Sequence, residues 1–473
     1  CLQNLFLADN IKVDLKNQDN LYEVERIEKE VISVYENIYL SLDEEFLLNL
    51  YKENKKAFEQ LEETIEKMKK DANLKDEYIK RIENPSTFIT DLKINPIKRG
   101  NKIFEKEYNL FYVNLMEHTL LQQEIFENSN KILSLSDPNE FLLIAIKEIV
   151  NKILSNELYK TNKIEGIESS KSQIYSSLKE NGKSNKKANK LEGIIKKYKD
   201  IMEKNFKDTQ HIDSLSSFRK IYDEMFEDFE KSGNYKLDGK YFRKDTVKVI
   251  NGLGNTIHIG INGEEAIEKN MENLIQFMNR KDIPFLVKAS ITHFFFEYIH
   301  PFYDGNGRFG RYLLSLYLAR KLDILTAFSL SYSISKNLDD YYKSFVEVED
   351  VNNYGEITFF VENILKTIKS GQEMIIELLN DSVMKFKHSM EILNELIKDL
   401  SEKENIMLQI YLQNYLFNDF EEITNVELSY IIGDLTQQTI NKYTQELEKK
   451  GYLLKIKQRP LTYTLADKIT DRL

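Results

Sequence analysis

Residues 300–311 read HPFYDGNGRFGR, and no other part of the chain gathers so many reactive groups in so short a stretch. A mostly apolar stretch precedes this segment, from Ile291 to Ile299, and another follows it, from Tyr312 to Leu318. This pattern predicts a loop between two buried helices, with the polar groups at the start of the second helix. Backbone N–H groups at a helix N-terminus bind anions, so the segment predicts an anion site.

Three side chains of this loop suit the transfer of a phosphoryl or nucleotidyl group. His300 is the natural general base, because an imidazole titrates near neutral pH. Asp304 offers a hard carboxylate oxygen to Mg²⁺, which usually binds through one carboxylate and the phosphates of a substrate. Asn306 is expected to donate an amide hydrogen bond to a phosphoryl oxygen.

Two glycines and two arginines complete the predicted anion site. Gly305 and Gly307 let the backbone approach a phosphate closely. Arg308 and Arg311 lie three residues apart and therefore share a face of the new helix. Two guanidinium groups beside an N–H cradle indicate an extended polyphosphate. The alternative is a purely structural loop, but packing alone does not require all of these groups together.

The same stretch resembles the active-site motif of the Fic family, and every defining position of that motif is filled. The resemblance implies a mostly α-helical core that transfers AMP from ATP to a Ser, Thr or Tyr hydroxyl of a protein. It implies that His300 deprotonates the hydroxyl and that Asp304 holds Mg²⁺. It also implies that Asn306 and the glycine amides bind the α-phosphate region, and that Arg308 and Arg311 bind the β- and γ-phosphates. The intact motif favours AMP over phosphate or phosphocholine.

Residues 161–166, which read TNKIEG, resemble the inhibitory motif of Fic proteins, in which Ser or Thr is followed after three residues by Glu-Gly. The resemblance implies that Glu165 faces Arg311 and occupies the place of the γ-phosphate, so that ATP binds only in a non-productive pose. In some relatives the same glutamate supports the removal of AMP by positioning a water molecule. The alternative is that Glu165 is one acid among many on a solvated helix.

Residues 246–250 and 256–261 alternate in polarity on either side of a turn rich in glycine and asparagine. This pattern predicts a β-hairpin. By resemblance the hairpin is a flap over the active site, in which Thr256, Ile257 and His258 pair with the backbone of the target as an added strand. His258 is predicted to lie at the surface and not to act as a second base. The alternative is a structural hairpin that covers the core.

Residues 337–342 resemble the segment that lies near the nucleotide base in Fic proteins and ends in a pair of tyrosines. Tyr341 is expected to pack on the adenine ring. The alternative interpretation is that Tyr341 and Tyr342 simply fill the core.

The composition is that of a mainly helical globular protein. The chain has 473 residues, of which 41% are hydrophobic and 30% charged, with only six prolines and 17 glycines. A length of this order predicts two to four units, each with its own core. The net charge of −11 disfavours nonspecific nucleic-acid binding by the whole chain. No apolar run approaches the length of a membrane span, and no secretory signal pattern is visible.

The single cysteine is Cys1, which excludes an intramolecular disulfide and suits a reducing compartment. The simplest expectation for a sequence that begins with cysteine in place of methionine is a trimmed cytoplasmic chain. A lipid-modified N-terminal cysteine is the alternative.

The sequence predicts five regions, with a polar, lysine-rich loop at residues 181–190. They are an N-terminal helical region (1–95), a helical region with the inhibitory motif (96–185), the Fic core (186–370), a connecting helix (371–402) and a winged-helix-like domain (403–473).

The last region shows three helix patterns followed by two strand patterns, and this order resembles a winged helix-turn-helix. From residue 436 onward it holds eight basic and four acidic residues, a net charge of +4 in an acidic chain. Gln and Thr side chains stand where a recognition helix would meet a groove, which favours DNA as a partner. The alternative is a protein–protein module.

Three functions therefore compete. The leading one is an autoinhibited protein adenylyltransferase that uses ATP and Mg²⁺ and modifies a target protein or itself, with a homodimer as an expected assembly. The second is a hydrolase that removes AMP from modified proteins at the same site. The third is a DNA-binding regulator whose Fic core only senses nucleotide.

Overall fold

The computed structural model describes residues 63–473, except for gaps at 65, 68, 71, 99, 138–142, 180–190, 204–211, 231–237, 251–255, 419–421 and 434. The chain divides into two compact units, residues 1–77 and residues 78–473. In the first unit the described residues are helical. The predictions for Cys1 and the rest of residues 1–62, for the loop at 181–190 and for the hairpin turn lie outside the described residues.

The second unit is built mainly from helices, as the sequence predicts. The helices before the flap are α1 (Met116–Leu135), α2 (Leu143–Ile164), α3 (Lys171–Lys179), α4 (Glu192–Met202) and α5 (Leu215–Glu230). The central helices are α6 (Glu264–Met278), α7 (Phe285–Ile299), α8 (Asn306–Lys321), α9 (Ile324–Ala327), α10 (Leu330–Lys336) and α11 (Leu338–Glu349). The last helices are α12 (Thr358–Leu396), α13 (Glu402–Phe417), α14 (Asn425–Ile432), α15 (Gln437–Lys449) and α16 (Asp467–Thr470).

The strands form small antiparallel sheets. The two-stranded sheets are β1 (Thr87–Ile94) with β4 (Tyr108–Val113), β2 (Ile97–Lys98) with β3 (Asn101–Lys102), and β5 (Lys248–Ile250) with β6 (Thr256–Ile259). The three-stranded sheet has the order β7-β9-β8, with β7 (Ile423–Thr424), β8 (Leu453–Gln458) and β9 (Leu461–Leu465).

Strands β1 and β4 lie where the sequence predicts helices, so that prediction is wrong for these residues. Buried Leu92 and Ile94 alternate in β1 with exposed Asp91 and Lys93. This two-residue period is typical of a strand with one buried face. Its signal was missed because the run is short and its partner strand lies on the far side of an intervening hairpin.

The long helix α12 begins at Thr358, so the predicted start of a connecting helix at residue 371 falls inside a continuous helix of 39 residues. Its buried face includes Val361, Leu365, Ile368 and Ile375. Their spacing of three, four and seven residues keeps one stripe on the core across the predicted boundary.

Helices α7 and α8 lie in the centre of the main core. Leu286, Phe294, Phe296 and Ile299 of α7 are completely buried, as is Phe309 of α8. A helix that is apolar on nearly all sides is buried on nearly all sides. The loop that joins α7 to α8 therefore begins and ends at buried helices in the centre of the unit.

The C-terminal elements follow the predicted order of three helices and two strands, with the short strand β7 added before α14. They have their own cluster of buried residues, which includes Met407, Tyr411, Ile440 and Leu447. The start of α13 is fixed by a capping box between Ser401 and Glu404. The winged-helix assignment itself stays a prediction.

Among the residues that the structure describes, no helix combines the length and the apolar character that a membrane crossing needs.

Candidate active site

His300 lies at the C-terminal end of α7 in a left-handed backbone conformation, with φ 51° and ψ 59°. This conformation costs about 1–2 kcal/mol for a residue other than glycine. Hydrogen bonds on both sides hold the turn. The His300 N–H donates to the Phe296 carbonyl oxygen at 3.0 Å, and the His300 carbonyl oxygen accepts from Arg243 Nε at 2.8 Å.

The imidazole of His300 is held in the form that a general base needs. Its Nδ1 lies 3.3 Å from the carbonyl oxygen of Glu297. Because a carbonyl oxygen can only accept, Nδ1 carries the proton of the neutral ring and Nε2 keeps its lone pair. Burial, together with nearby His258 and Arg243, lowers the pKa of His300 to about 3. The ring is therefore neutral near pH 7, while its side chain stays 16% exposed.

Asn306 closes the loop between α7 and α8. Its Oδ1 accepts from the Phe302 N–H at 2.9 Å, and its Nδ2 donates to the Phe302 carbonyl oxygen at 2.8 Å. The residue is only 1% exposed. These bonds give Asn306 a structural role in the loop and use one of its two Nδ2 hydrogens, so the predicted bond from this amide to a phosphoryl oxygen stays a prediction.

Asp304 and Gly305 form the start of α8. Gly305 has a φ of 78° and donates its N–H to Asp304 Oδ1. The Asp304 side chain is 54% exposed, whereas Arg308, whose Nη2 lies 3.8 Å from Asp304 Oδ1, is buried. The Arg308 guanidinium lies over the ring of Phe226, 4.8 Å from its centroid.

Asp304 fits the magnesium ion that the motif implies. In the part of the chain that the structure describes, no group of three or more His, Cys, Asp or Glu side chains is arranged to hold a metal ion. Mg²⁺ does not need such a group, because one protein carboxylate is sufficient when phosphates and waters complete its shell. An accessible carboxylate at the N-terminus of α8 meets that requirement.

The structure brings Glu165 and Arg311 together across 146 positions of sequence. Arg311 Nη2 donates to Glu165 Oε1 at 2.8 Å. The same guanidinium donates to Thr161 at both its Oγ1, at 2.9 Å, and its carbonyl oxygen, at 3.1 Å. Burial alone would lower the pKa of Arg311, but the Glu165 carboxylate raises it above its usual value. Arg311 is thus a permanent cation at the C-terminal end of α2.

The end of α2 explains the Glu-Gly pair of the predicted inhibitory motif. Gly166 has a φ of 69°, and its N–H donates to the Lys163 carbonyl oxygen at 3.0 Å. The N–H of Ile167 donates to the Asn162 carbonyl oxygen at 2.9 Å. These two bonds form a Schellman motif, which ends the helix and leaves Glu165 at its last turn.

The carboxylate of Glu165 lies against the first turn of α8. A Cβ atom at Gly307 would collide with Glu165 Oε1 and would lie 3.0 Å from Arg311 Nη1. Glu165 therefore occupies the N-terminal end of the helix, which is where the sequence predicts a bound anion.

Glu297 is a site residue that the sequence analysis missed. It lies one turn before His300, and its Oε2 is 3.9 Å from His300 Nδ1. Burial raises the pKa of Glu297 to about 8, although Arg311 acts in the opposite direction. The carboxyl group is therefore mostly protonated at neutral pH. A single acid in the otherwise apolar run FFFEYI was the available signal.

The hairpin of β5 and β6, which we call the flap, is present where the sequence predicts it. Thr256 and Ile257 are partly exposed, but the predicted surface position of His258 is wrong because it is only 8% exposed. Its Nε2 donates to the Tyr298 carbonyl oxygen at 3.0 Å, and its Nδ1 lies 2.7 Å from Glu349 Oε1. Alternation along β6 turns His258 inward, where both ring nitrogens find acceptors.

Lys102 joins the flap to the strand β3. Its Nζ donates to the Ile259 carbonyl oxygen at 2.7 Å and lies 4.1 Å from the centroid of the Tyr298 ring. Burial lowers the pKa of Lys102 to about 8. This anchor was not predicted, because its role depends on contacts between distant segments.

Tyr341 fills the core, in agreement with the alternative interpretation of the tyrosine pair. It is 3% exposed, and its hydroxyl lies 2.8 Å from His293 Nε2. Burial raises the pKa of Tyr341. Tyr342 is the more exposed member of the pair. The contact between Tyr341 and adenine stays a prediction.

Comparison with known proteins finds a family match in the region of this loop. Residues 212–318 match the model of the Fic/DOC family. A Fido domain-containing protein from Dictyostelium discoideum is 41% identical over 85 residues, which make up 17% of this chain and 55% of the relative. The match thus spans about half the length of that curated relative.

Solved structures of Fic proteins are also similar to this chain. A Fic family protein from Desulfovibrio desulfuricans has 17% identity and a TM-score of 0.48, with 75% of this chain and 98% of the other covered. A Fic domain containing signaling protein from Bacteroides thetaiotaomicron has 17% identity and a TM-score of 0.39, with 55% and 97% covered. With both TM-scores below 0.5, these likenesses carry no weight for the site.

The family match contains the loop, the flap, α7 and most of α8. Residues 212–318 of this chain are therefore similar to the Fic/DOC family.

Proposed function

We propose that this chain transfers AMP from ATP to a hydroxyl side chain of a protein, and that Glu165 holds the site in an inhibited state. The observation that carries the proposal is the state of His300. Its imidazole is neutral, with the Nε2 lone pair free, beside the N-terminus of α8. A poised base next to an anion-binding helix end suits transfer better than nucleotide sensing, which needs no base.

The proposed step is a single displacement at the α-phosphorus. The target hydroxyl gives its proton to Nε2 of His300 while its oxygen forms a bond to phosphorus. The bond from that phosphorus to the oxygen of the β-phosphate breaks, and pyrophosphate leaves. Bound Mg²⁺, held by Asp304 and phosphate oxygens, would offset the charge on the leaving group.

We assign the binding of the phosphates to the first turns of α8. Arg308 and Arg311 both lie in these turns and are both buried, and Arg311 is held by Thr161 and Glu165. Buried guanidiniums lose little freedom when they bind, so they suit the β- and γ-phosphates of ATP. The N–H groups at the start of α8 complete the cradle.

Inhibition follows from competition for the same cation. The Glu165 carboxylate already pairs with Arg311 and lies against Gly307, so a γ-phosphate at this position would meet a like charge. ATP must displace this carboxylate or bind elsewhere. Removing it should therefore raise the rate of AMP transfer, with the helix α2 left intact.

The experiment is a label-transfer assay with the full chain, a bacterial lysate as acceptor, Mg²⁺ and ATP labelled at the α- or the γ-phosphate. We expect α-label on protein from the Glu165→Gly variant, much less from the wild type and none from Glu165→Gly with His300→Ala. Glu168→Gly, which removes an exposed acid just after α2, is the matched control and should behave as the wild type. Transfer of γ-label would contradict the proposal and indicate phosphoryl transfer.

The removal of AMP from modified proteins is the second candidate, and the position of Glu165 favours it. A carboxylate beside the cradle is placed to take a proton from a water molecule. This function needs Glu165, so Glu165→Gly would abolish the release of AMP from a modified protein. Adenylyl transfer predicts the opposite response to the same substitution.

A further inference from the structure

Arg243 is a completely buried arginine beside the proposed catalytic base. It binds three consecutive carbonyl oxygens at the end of α7. Its Nη2 donates to Ile299 at 3.3 Å, its Nε donates to His300 at 2.8 Å, and its backbone N–H donates to Pro301 at 3.2 Å. Carbonyl groups at a helix C-terminus have no partner within the helix, and a cation is favourable there.

A second contact of Arg243 fixes the guanidinium itself. Its Nη1 donates to the carbonyl oxygen of Asp245, at the start of the segment that leads into the flap. The planar fork thus joins the end of α7 to the base of the flap. Lysine, with a single ammonium group, cannot reach all of these carbonyl oxygens at once.

The end of the flap packs closely against Arg243 and His300. A Cβ atom at Gly260 would lie 2.5 Å from Arg243 Nη2 and 3.0 Å from His300 Cβ. The N–H of Ile261 donates to the Ile299 carbonyl oxygen at 3.1 Å. Arg243 and His300 are therefore both packed against Gly260 at the end of the flap.

We propose that Arg243 is a positioning residue for His300, which holds the left-handed turn and adds a buried positive charge near the imidazole. The inference rests on the proposed function in one respect, that His300 acts as a base. The hydrogen bonds of Arg243 to the end of α7 do not depend on that function.

The other charged groups around the imidazole do not replace Arg243. From β6, His258 faces the ring at a centroid distance of 6.0 Å, and its Nδ1 lies 2.7 Å from Glu349 Oε1. From α7, Glu297 lies close, and its raised pKa leaves it mostly neutral near pH 7. Burial is the largest cause of the lowered pKa of His300, followed by His258 and then Arg243, and of these two residues Arg243 is the one that binds the His300 carbonyl oxygen.

Two variants separate the charge of Arg243 from its hydrogen bonds. The Arg243→Gln side chain keeps an N–H donor but carries no charge. The Arg243→Lys side chain keeps the charge but lacks the planar set of N–H donors of the guanidinium group. Arg280→Gln is the matched control, because Arg280 is a partly exposed arginine that pairs with Asp282 at 2.6 Å. All variants are made in the full chain with Glu165→Gly, and thermal melting checks that each one folds.

The primary readout is NMR of ¹³C,¹⁵N-labelled histidine, with His300→Ala to assign the His300 signals. This readout reports protonation and tautomer, and it does not require activity. In Arg243→Gln we expect the titration midpoint of His300 to rise by about one pH unit, the lower end of the shift that a nearby unit charge produces, because burial and His258 still lower it. In Arg243→Lys we expect the midpoint to stay low and the Nδ1–H tautomer to lose population.

The second readout is the pH profile of AMP transfer. In Arg243→Gln the rate of AMP transfer should fall on the acid side, at the raised titration midpoint of His300. In Arg243→Lys the rate should be lower at all pH values. The inference is overturned if both variants fold like Arg280→Gln and leave the midpoint and the tautomer of His300 unchanged. If the midpoint moves and no variant transfers AMP, the positioning role stands and only the proposed function fails.

Discussion

The chemistry of the site depends on a few residues whose properties are set by burial. His300 is the clearest case, because its ring would titrate near pH 6.5 in water and has a pKa lowered to about 3 here. Sequence alone gives the residue and its usual pKa. It does not give the shift, which comes first from burial and then from His258 and Arg243, two residues that lie far from His300 in the chain.

The first prediction concerns the pH dependence of this base. AMP transfer by Glu165→Gly should keep its kcat/KM from about pH 8 down to about pH 5.5, because His300 stays neutral throughout this range. An unshifted histidine would instead lose about ten-fold across the whole of this range. Steady-state rates across this range test the prediction, and an acid limb near the ordinary pKa of histidine would contradict it.

The second prediction concerns Glu297, whose pKa is raised from 4.5 to about 8 by burial. Between pH 4.5 and about pH 8 the folded state keeps the proton of Glu297, whereas the unfolded state loses it. The contribution of Glu297 to the free energy of unfolding therefore falls as pH rises through this range. Glu297→Gln should therefore raise the melting temperature more at alkaline pH than at acid pH. Calorimetry of both proteins across this range checks it, and a difference that does not change with pH would refute it.

At the scale of elements, the flap and the end of α2 are both fixed to the core by polar contacts. The flap depends on His258 and Lys102, which reach Glu349 and the backbone of β6. The end of α2 depends on Arg311, which satisfies the Thr161 carbonyl oxygen. Each contact joins segments that are distant in sequence, so the alternation and helix patterns could predict the elements but not their attachment.

The third prediction tests the anchor of the flap. Glu349→Ala leaves Nδ1 of buried His258 without its acceptor, which costs about 1–3 kcal/mol for a buried polar group. We expect faster hydrogen exchange at residues 256–259 and a lower melting temperature. Glu347→Ala, which removes an exposed acid from the same helix, is the control and should change neither. Equal exchange in the two variants would show that Glu349 does not hold the flap.

At the scale of the whole molecule, the sequence predicts the helical class and the central loop better than the remaining architecture. The loop could be found because its groups are contiguous, from His300 to Arg311. The sequence did not predict strands β1 and β4 or the unbroken length of helix α12. Their formation depends on strand pairing and on burial against distant parts of the chain. Arg243 shows the same limit at the site, since nothing in its local sequence marks a residue that binds three carbonyl oxygens of another segment.

The C-terminal segment gives the fourth prediction. Gln437 and Gln438 are exposed at the start of α15, which favours the DNA binding expected from the sequence. The pair of Lys455 with Glu448, at 3.0 Å, removes part of the positive charge. We expect weak, salt-sensitive duplex binding that falls about ten-fold when Lys457 and Arg459 are both changed to Glu.

Fluorescence anisotropy with a labelled duplex at two salt concentrations measures this change. Lys398→Glu with Lys403→Glu provides the control at the start of the C-terminal elements. Equal affinity of both double variants would contradict DNA binding by this segment and leave the protein–protein alternative.

The most direct measurement is intact and peptide mass spectrometry of the full chain after incubation with ATP and Mg²⁺. The Glu165→Gly variant should carry an added AMP group on a hydroxyl side chain of its own, because the cradle and the base are then both free to act. The same variant with His300→Ala should carry none. Absence of AMP from Glu165→Gly, or its persistence after His300→Ala, would contradict a site in which a neutral imidazole activates the hydroxyl and a glutamate blocks the phosphates.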